Sequence, residues 1–318
     1  MRALLIVNPN ATSTTSQGRD LLAHALASRL QLEVVQTTHR GHAAELAHRA
    51  ALEQMTHVIV HGGDGTVNET VNGLLGAPRP EAMRDLPPGR TPLLGVVPGG
   101  SANVFARNLG ISPDPVAATN QLLELLAAGT TRRIGLGRCD NRWFTFTAGL
   151  GVDALVVEAM EAARAAGHPA TSGRYLRTTV RTFLKDRRRA PQLTVHLPGA
   201  EPVPEVHYAF VSNTNPWTYL EQRPVTTNPG TSFDTGLGVF AALSMGLPTT
   251  MRLARQLLTR SGDPRSPRLI RTDDVPTVRI TAETPAAFQI DGDFLGRRSE
   301  VVFATEPDML TVAAPAAR

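Results

Sequence analysis

His61-Gly62-Gly63-Asp64-Gly65-Thr66-Val67-Asn68-Glu69 decides how the rest of this chain is read. The run follows Val58-Ile59-Val60, an apolar, β-branched segment with the character of a buried strand. It precedes Thr70-Val71-Asn72-Gly73-Leu74-Leu75, whose apolar spacing suits a helix. Three glycines at a strand-to-helix junction let the backbone bend sharply and aim several N–H groups at one point. With a helix N-terminus behind it, that arrangement suits a phosphate. An aspartate among those glycines would repel a bare phosphate, so Asp64 calls for either a metal ion or a hydrogen-bonding frame. Glycines alone would equally suit a tight βα turn without a ligand, but the whole string is more specific than that.

The chain has 318 residues, enough for two domains of ordinary size. Its 42% hydrophobic and 19% charged residues describe a globular protein. The apolar run Met1–Val7 is too short for a signal peptide or a span, and Asn8-Pro9-Asn10 ends it. No other segment reaches about 18 uninterrupted apolar residues. A cytoplasmic location is expected. One cysteine, Cys139, excludes an internal disulfide and a cysteine-based zinc cage. The net charge is +4, yet Lys185 is the only lysine. That removes a Walker lysine and a protein-kinase lysine, and argues against Schiff-base chemistry. Any polyphosphate would have to be held by glycines, arginines and metal.

Strand-like and helix-like segments alternate in the first part: strands at 3–7, 32–37, 57–60 and 93–97, and helices at 14–30, 43–55, 66–75 and 115–128. A Pro/Gly-rich loop covers 76–92, and Pro98-Gly99-Gly100-Ser101 opens a helix running through Leu109. Such alternation implies a parallel sheet covered on both faces. Beyond Gly129 short β-branched or aromatic segments dominate, at 142–147, 192–197, 206–211, 238–243, 277–281 and 300–304. Helices are expected among them at 154–166, 171–188 and 249–260. The fold class expected is therefore an α/β domain over 1–131 followed by a mainly antiparallel β-sandwich or barrel over 132–305. The tail 306–318 is free to pack back on the first domain.

The central string, Gly62 to Glu69, resembles the nucleotide-binding signature of the diacylglycerol kinase catalytic superfamily, which includes bacterial lipid kinases and sphingosine kinases. Other elements occur in the family's order. Asn8-Pro9-Asn10-Ala11-Thr12 is similar to its first nucleotide loop, and Thr37 to a threonine that contacts nucleotide. The stretch from Pro98 to Arg107 resembles its next loop, with Ser101 and Asn103 at the matching places. Ala148-Gly149-Leu150-Gly151-Val152-Asp153-Ala154 resembles the element that starts the second domain. Gln289-Ile290-Asp291-Gly292-Asp293 resembles the Asp-Gly-Glu element that supplies the catalytic base. Two departures stand out. Asp293 replaces the usual glutamate, and Thr235, beside Asp234, replaces an aspartate near a structural metal. Asp234 is thus a weak metal candidate. NAD kinases and phosphofructokinases share a related Gly-Gly-Asp-Gly loop, but Thr66-Val67-Asn68-Glu69 favours the lipid branch.

The resemblance implies an ATP-dependent lipid kinase with an NAD-kinase-like and diacylglycerol-kinase-like nucleotide domain. Diacylglycerol is the leading acceptor. A sphingoid base or another lipid alcohol is the runner-up, and a nucleotide-binding regulator without catalysis is the alternative from another class. Phosphoryl transfer needs charge neutralisation, an acceptor oxygen in line and a group to take its proton. The N–H groups of Gly62, Gly63 and Gly65 serve the first need with Mg2+ carried by ATP, and Asp64 is the candidate metal partner. Thr66 and Ser101 hydroxyls are placed to bond phosphate oxygens; Asn68 and Asn103 suit either loop orientation or ribose binding. Asp291 and Asp293 are the candidate bases: in an extended strand they would point to one side, and paired carboxylates raise one pKa, whereas Asp291-Gly292 by itself reads as a favoured hairpin turn. Arg174, Arg177, Arg181, Lys185 and Arg188 form one stripe on a helix whose other face carries Leu176, Val180, Phe183 and Leu184. This helix suits an anionic membrane surface as well as it suits a solvated basic face. Transient association with the inner membrane face is therefore expected, with anionic phospholipid as partner. No nucleic-acid reading module is recognisable, and a homodimer is compatible with the sequence.

Overall fold

A computed structural model describes residues 1–78, 91–166, 172–259 and 263–316. The chain forms two compact units. The first comprises Met1–Leu136, Asn141–Trp143 and Glu306–Arg318; the second comprises Gly137–Asp140 and Phe144–Thr305.

The first unit contains β1 (Arg2–Val7), α1 (Ser16–Ala27), β2 (Gln31–Gln36), α2 (His42–Leu52), β3 (His57–Gly62), α3 (Asp64–Leu75) and β4 (Leu93–Pro98). Then come α4 (Val104–Asn108), α5 (Pro115–Ala128) and the start of β5 (Arg132–Cys139). Its sheet runs β4-β3-β1-β2, every pair parallel. Every residue of β3 is buried, as expected of a strand covered on both faces. The connection β1-α1-β2 steps one way across the sheet, and β2-α2-β3 steps back past β1. With right-handed crossovers, α1 and α2 must lie on opposite faces, with α3 on the side of α2. The packing agrees: α2 lies against α3, and α1 against α5. Local chemistry sets the helix ends. Thr15 accepts a bond from Gly18 N at the start of α1; Asp114 and Pro115 open α5, and left-handed Gly129 closes it. Of the loop expected over 76–92, residues 79–90 lie outside the described residues.

The second unit begins where β5 and β6 (Arg142–Phe144) carry the chain over. It then has β7 (Thr147–Leu150), α6 (Val152–Ala165), α7 (Ser172–Asp186), β8 (Leu193–His196), β9 (Val203–Val206), β10 (Tyr208–Ser212), β11 (Thr218–Leu220) and β12 (Arg223–Val225). After these come β13 (Leu237–Ala242), α8 (Leu247–Leu257), β14 (Leu269–Val275), β15 (Thr277–Ile290) and β16 (Asp293–Val312), whose last residues belong to the first unit. The strands pair antiparallel in the order β14-β13-β10-β7-β15, while β8 and β9 continue from the other half of β15. Residues 279–282 of β15 pair with β8 and residues 288–290 with β7, across a register shift between Thr281 and Ala286. Pro285 sits in that shift, where a missing N–H is tolerated. Leu193, Val195 and Ile280 from one part of this array meet Leu150, Val211 and Val239 from the other in a single buried cluster.

The strand expected over 277–281 continues through the bulge to Ile290. Sequence patterning passed over β14, whose Arg271, Thr272, Asp273 and Asp274 are too polar for a central strand. β14 lies at the end of the path, where such residues suit an edge.

Candidate nucleotide site and carboxylates

In an open parallel sheet, ligands bind at the carboxyl ends of the strands, where the strand order reverses. Here that place lies beyond β1 and β3. Four loops leave this edge: Asn8 onward after β1, Thr37 to Gly41 after β2, Gly62 to Asp64 after β3, and Gly99 to Asn103 after β4. Hydrogen bonds tie them together. Asn8 N donates to His61 O at 2.9 Å, Gly99 N to Gly62 O at 2.8 Å, and Ser13 N to Gly99 O at 2.9 Å. Asn8 Nδ2 donates to Thr66 Oγ1 at 3.0 Å. Gly41 N donates to Glu69 Oε1 at 2.9 Å, which joins the second loop to α3. The two glycine pairs touch backbone to backbone: a Cβ on Gly100 would stand 2.7 Å from Gly63 Cα. No side chain caps the start of α3, so its first-turn N–H groups keep their anion-binding character. These features fit a polyphosphate.

Asp64 was open to two roles, and the hydrogen-bonding frame is the one seen. Its Oδ2 accepts from Val104 N and its Oδ1 from Phe105 N, both at 3.0 Å. The carboxylate thereby caps α4 and locks the first glycine loop to the second. Asn103 likewise works on the loop. It is left-handed, φ 50°, and its side chain accepts from Gly100 N at 2.8 Å and donates to Gly100 O at 2.7 Å. Asn68 is fully buried: Nδ2 donates to Trp143 O, and Oδ1 accepts from Arg142 Nη2. Both asparagines therefore brace the protein's own structure. Val67 is buried core. Pro9, Asn10, Thr12 and Ser101 are exposed at the site's rim, with Ala11 half-buried beside them. Thr37 is half-buried, and its N–H bonds Val7 O at 2.8 Å. The sequence reading missed His61 as a site residue. It is buried between Thr14 Oγ1 and Val97 O, and burial holds its pKa below the ordinary value, so a neutral ring braces the loops. Among the described residues, no three His, Cys, Asp or Glu side chains gather into a metal cage. Asp234 is exposed, and the neighbouring Thr235 hydroxyl closes the turn by accepting from Ser232 N.

In the second unit, the expectation that Asp291 and Asp293 share one side of an extended strand is corrected. Asp291 and Gly292 have φ of 47° and 80° and form the two-residue turn between β15 and β16, with Ile290 paired to Asp293. The two carboxylates consequently differ in environment. Asp291 is buried, and its oxygens accept from Thr145 N, Thr145 Oγ1, Phe146 N and Thr147 N at 2.6–3.0 Å. Burial raises its pKa, and those donors pull the other way. Asp293 is partly exposed.

Residues 2–139 match the family described as diacylglycerol kinase catalytic domain. That match covers less than half of the chain. The chain is 34% identical over 158 residues to a diacylglycerol kinase of Bacillus subtilis, covering 47% of this chain and 46% of that protein. It is 33% identical over 147 residues to a diacylglycerol kinase of Staphylococcus aureus, covering 45% and 41%. These alignments thus span less than half the length of the curated relatives. A solved diacylglycerol kinase of Bacillus anthracis is similar over 99% of this chain and 97% of its own, with a TM-score of 0.70 at 19% identity. An NAD kinase of Archaeoglobus fulgidus in complex with ATP is similar over 99% and 94%, with a TM-score of 0.54 at 12% identity. At such identities the two structures establish the fold alone.

The diacylglycerol kinase match ends at Cys139, so the carboxylates of the second unit lie beyond it. One of them, Asp153 in the first turn of α6, lies in the Ala148–Ala154 stretch. It is buried and accepts from Gln289 Nε2 at 2.7 Å; burial pushes its pKa up to about 6, against that bond. The folded state thus holds this proton more tightly than the unfolded chain. Its stabilisation is complete below about pH 4 and is lost as pH rises through about 6. Between pH 5 and pH 7 wild type should lose about 1 kcal/mol relative to Asp153→Asn, read from urea midpoints. Parallel pH profiles for the two proteins would refute the assignment.

Proposed function

We propose that this chain is an ATP-dependent lipid kinase that transfers the γ-phosphoryl group to a lipid hydroxyl, with diacylglycerol as the leading acceptor. The observation that carries the reading is the uncapped start of α3 beside two glycine loops in backbone contact. ATP with its Mg2+ supplies the transferable phosphoryl group and part of its charge neutralisation. The Gly65 and Thr66 amides grip phosphate oxygens, and the exposed Thr12 and Ser101 hydroxyls add donors at the rim. Asp64, Asn68 and Asn103 hold the loops in place. Asp293 takes the acceptor's proton, because Asp291 is already committed to four donors.

The lipid acceptor brings the chain to the inner face of the membrane. On α7, Val180 and Leu184 are exposed beside Arg177, Arg181 and Lys185, while Arg188, expected on the same helix, lies in the turn after α7 ends at Asp186. That combination favours an anionic leaflet. The Leu176 side chain lies outside the described residues. No helix among the described residues is long and apolar enough to cross a membrane. A second reading, a regulator that binds nucleotide without transferring it, is motivated by the shorter Asp293. Radiolabelled ATP with vesicles carrying diacylglycerol, sphingosine or a polyprenol separates them. A labelled phosphatidic acid is expected; nucleotide binding with no labelled lipid would establish the regulator instead.

A further inference from the structure

We propose that α8 is a second membrane-docking element, which lays Leu247, Met251, Ala254 and Leu258 among the acyl chains of an anionic bilayer with Arg252 and Arg255 at the headgroups. The proposal draws its purpose from the lipid-kinase reading, but its geometry stands without it.

Leu247, Met251 and Leu258 are 40%, 70% and 40% exposed, and Ala254 is exposed with them. At 3.6 residues per turn these four positions fall within about 60° of arc, a continuous apolar stripe. The helix already has a different face for the core: Leu253 is buried, and Leu257 packs on the cluster of Tyr208, Phe210, Phe240 and Met245. A helix that served only that core would be polar elsewhere. From Leu243 to Thr259 there is no acidic residue, and the exposed charges on α8 are Arg252 and Arg255. Phe183 of α7 packs on the same cluster. Two helices seated on one aromatic cluster therefore both present apolar and cationic side chains to the outside. An anionic bilayer offers the matching pair, acyl chains below and negative charge above. A second copy of the chain would set arginines against arginines. With 11 residues, α8 is too short to span a bilayer, so it lies in the interface.

Co-sedimentation with vesicles of phosphatidylglycerol and phosphatidylcholine, against phosphatidylcholine alone, tests this on the full chain. The double variant Met251→Asp, Leu258→Asp should bind the anionic vesicles about tenfold or more weakly, since it removes insertion and adds charge repulsion. Both side chains are exposed, so circular dichroism and thermal midpoint should match wild type. Met251→Trp should show a blue-shifted emission, quenched by brominated acyl chains, only with anionic vesicles. Unchanged partition of the double variant, or no quenching of Met251→Trp, would overturn the proposal. So would a wild-type dimer in sedimentation velocity that the double variant abolishes, since α8 would then pair with a second copy. The readout is vesicle binding, so a chain that phosphorylates no lipid would refute the kinase reading and leave this result intact.

Discussion

Asp291→Asn should lower the stability of the chain by about 2–4 kcal/mol, whereas Asp293→Asn should leave it within about 1 kcal/mol of wild type. The difference follows from what surrounds each carboxylate. Both oxygens of Asp291 accept from backbone N–H groups of Thr145, Phe146 and Thr147 in a buried turn. An asparagine there keeps one acceptor oxygen and turns an NH2 toward Thr145 N. The Thr145 hydroxyl can rotate to accept that NH2, but the backbone N–H is left buried without an acceptor, and the charge-assisted bonds are lost. Asp293 is partly exposed, and water compensates for much of the change. Activity should behave in the opposite sense. Asp293→Asn should cut transfer about 10²–10⁴-fold at unchanged nucleotide affinity, the range for a lost general base. Urea denaturation and single-turnover transfer, measured on both variants, separate anchor from base. If Asp293→Asn transferred phosphate at the wild-type rate, the base would have to be sought elsewhere. A wild-type urea midpoint for Asp291→Asn would remove its anchoring role.

Gly73→Ala carries the other large effect. By helix propensity alone, alanine should stabilise α3 by about 1 kcal/mol. Packing decides against it. The new Cβ would stand 2.1 Å from Ala44 O and 2.7 Å from Ala44 Cα, both backbone atoms of α2. No rotamer relieves such a contact, so α3 must shift or tilt. Overpacking against a backbone atom should cost about 3 kcal/mol or more, enough to overturn the propensity gain. Because α3 begins at Asp64, the shift also moves the glycine loop, and nucleotide affinity should fall with stability. Gly246→Ala is the control. Its Cβ would meet only Ser244 Oγ at 3.4 Å, and the change should stay within about 0.5 kcal/mol. Equal urea midpoints for Gly73→Ala and wild type would mean that α2 and α3 can separate at little cost.

Much of the first unit was legible because its signals are local. The β-branched run before Gly62 and the alternation of strands and helices depend on neighbours a few residues apart, and the observed elements follow them. The motif residues also cluster in sequence, so naming them needed no contacts. Their division of labour was not legible. Asp64, Asn68 and Asn103 carry the residue types of ligand-binding groups, yet Asp64 and Asn103 bond backbone, and Asn68 bonds the Trp143 backbone and the Arg142 side chain. For Asp64 and Asn68 the partners lie 40 and 75 residues away, beyond the reach of any local pattern.

The sequence by itself determined the alternating architecture of the first unit, the glycine-bearing junction after β3 and the family that residues 2–139 match, because hydrophobic period and turn chemistry act over single turns and strands. Only the tertiary structure decided that Asp291 is a buried anchor and that α8 turns a second apolar stripe to the outside. Those outcomes depend on which distant backbone amides reach a carboxylate, and on which of a helix's apolar faces the core has room to cover.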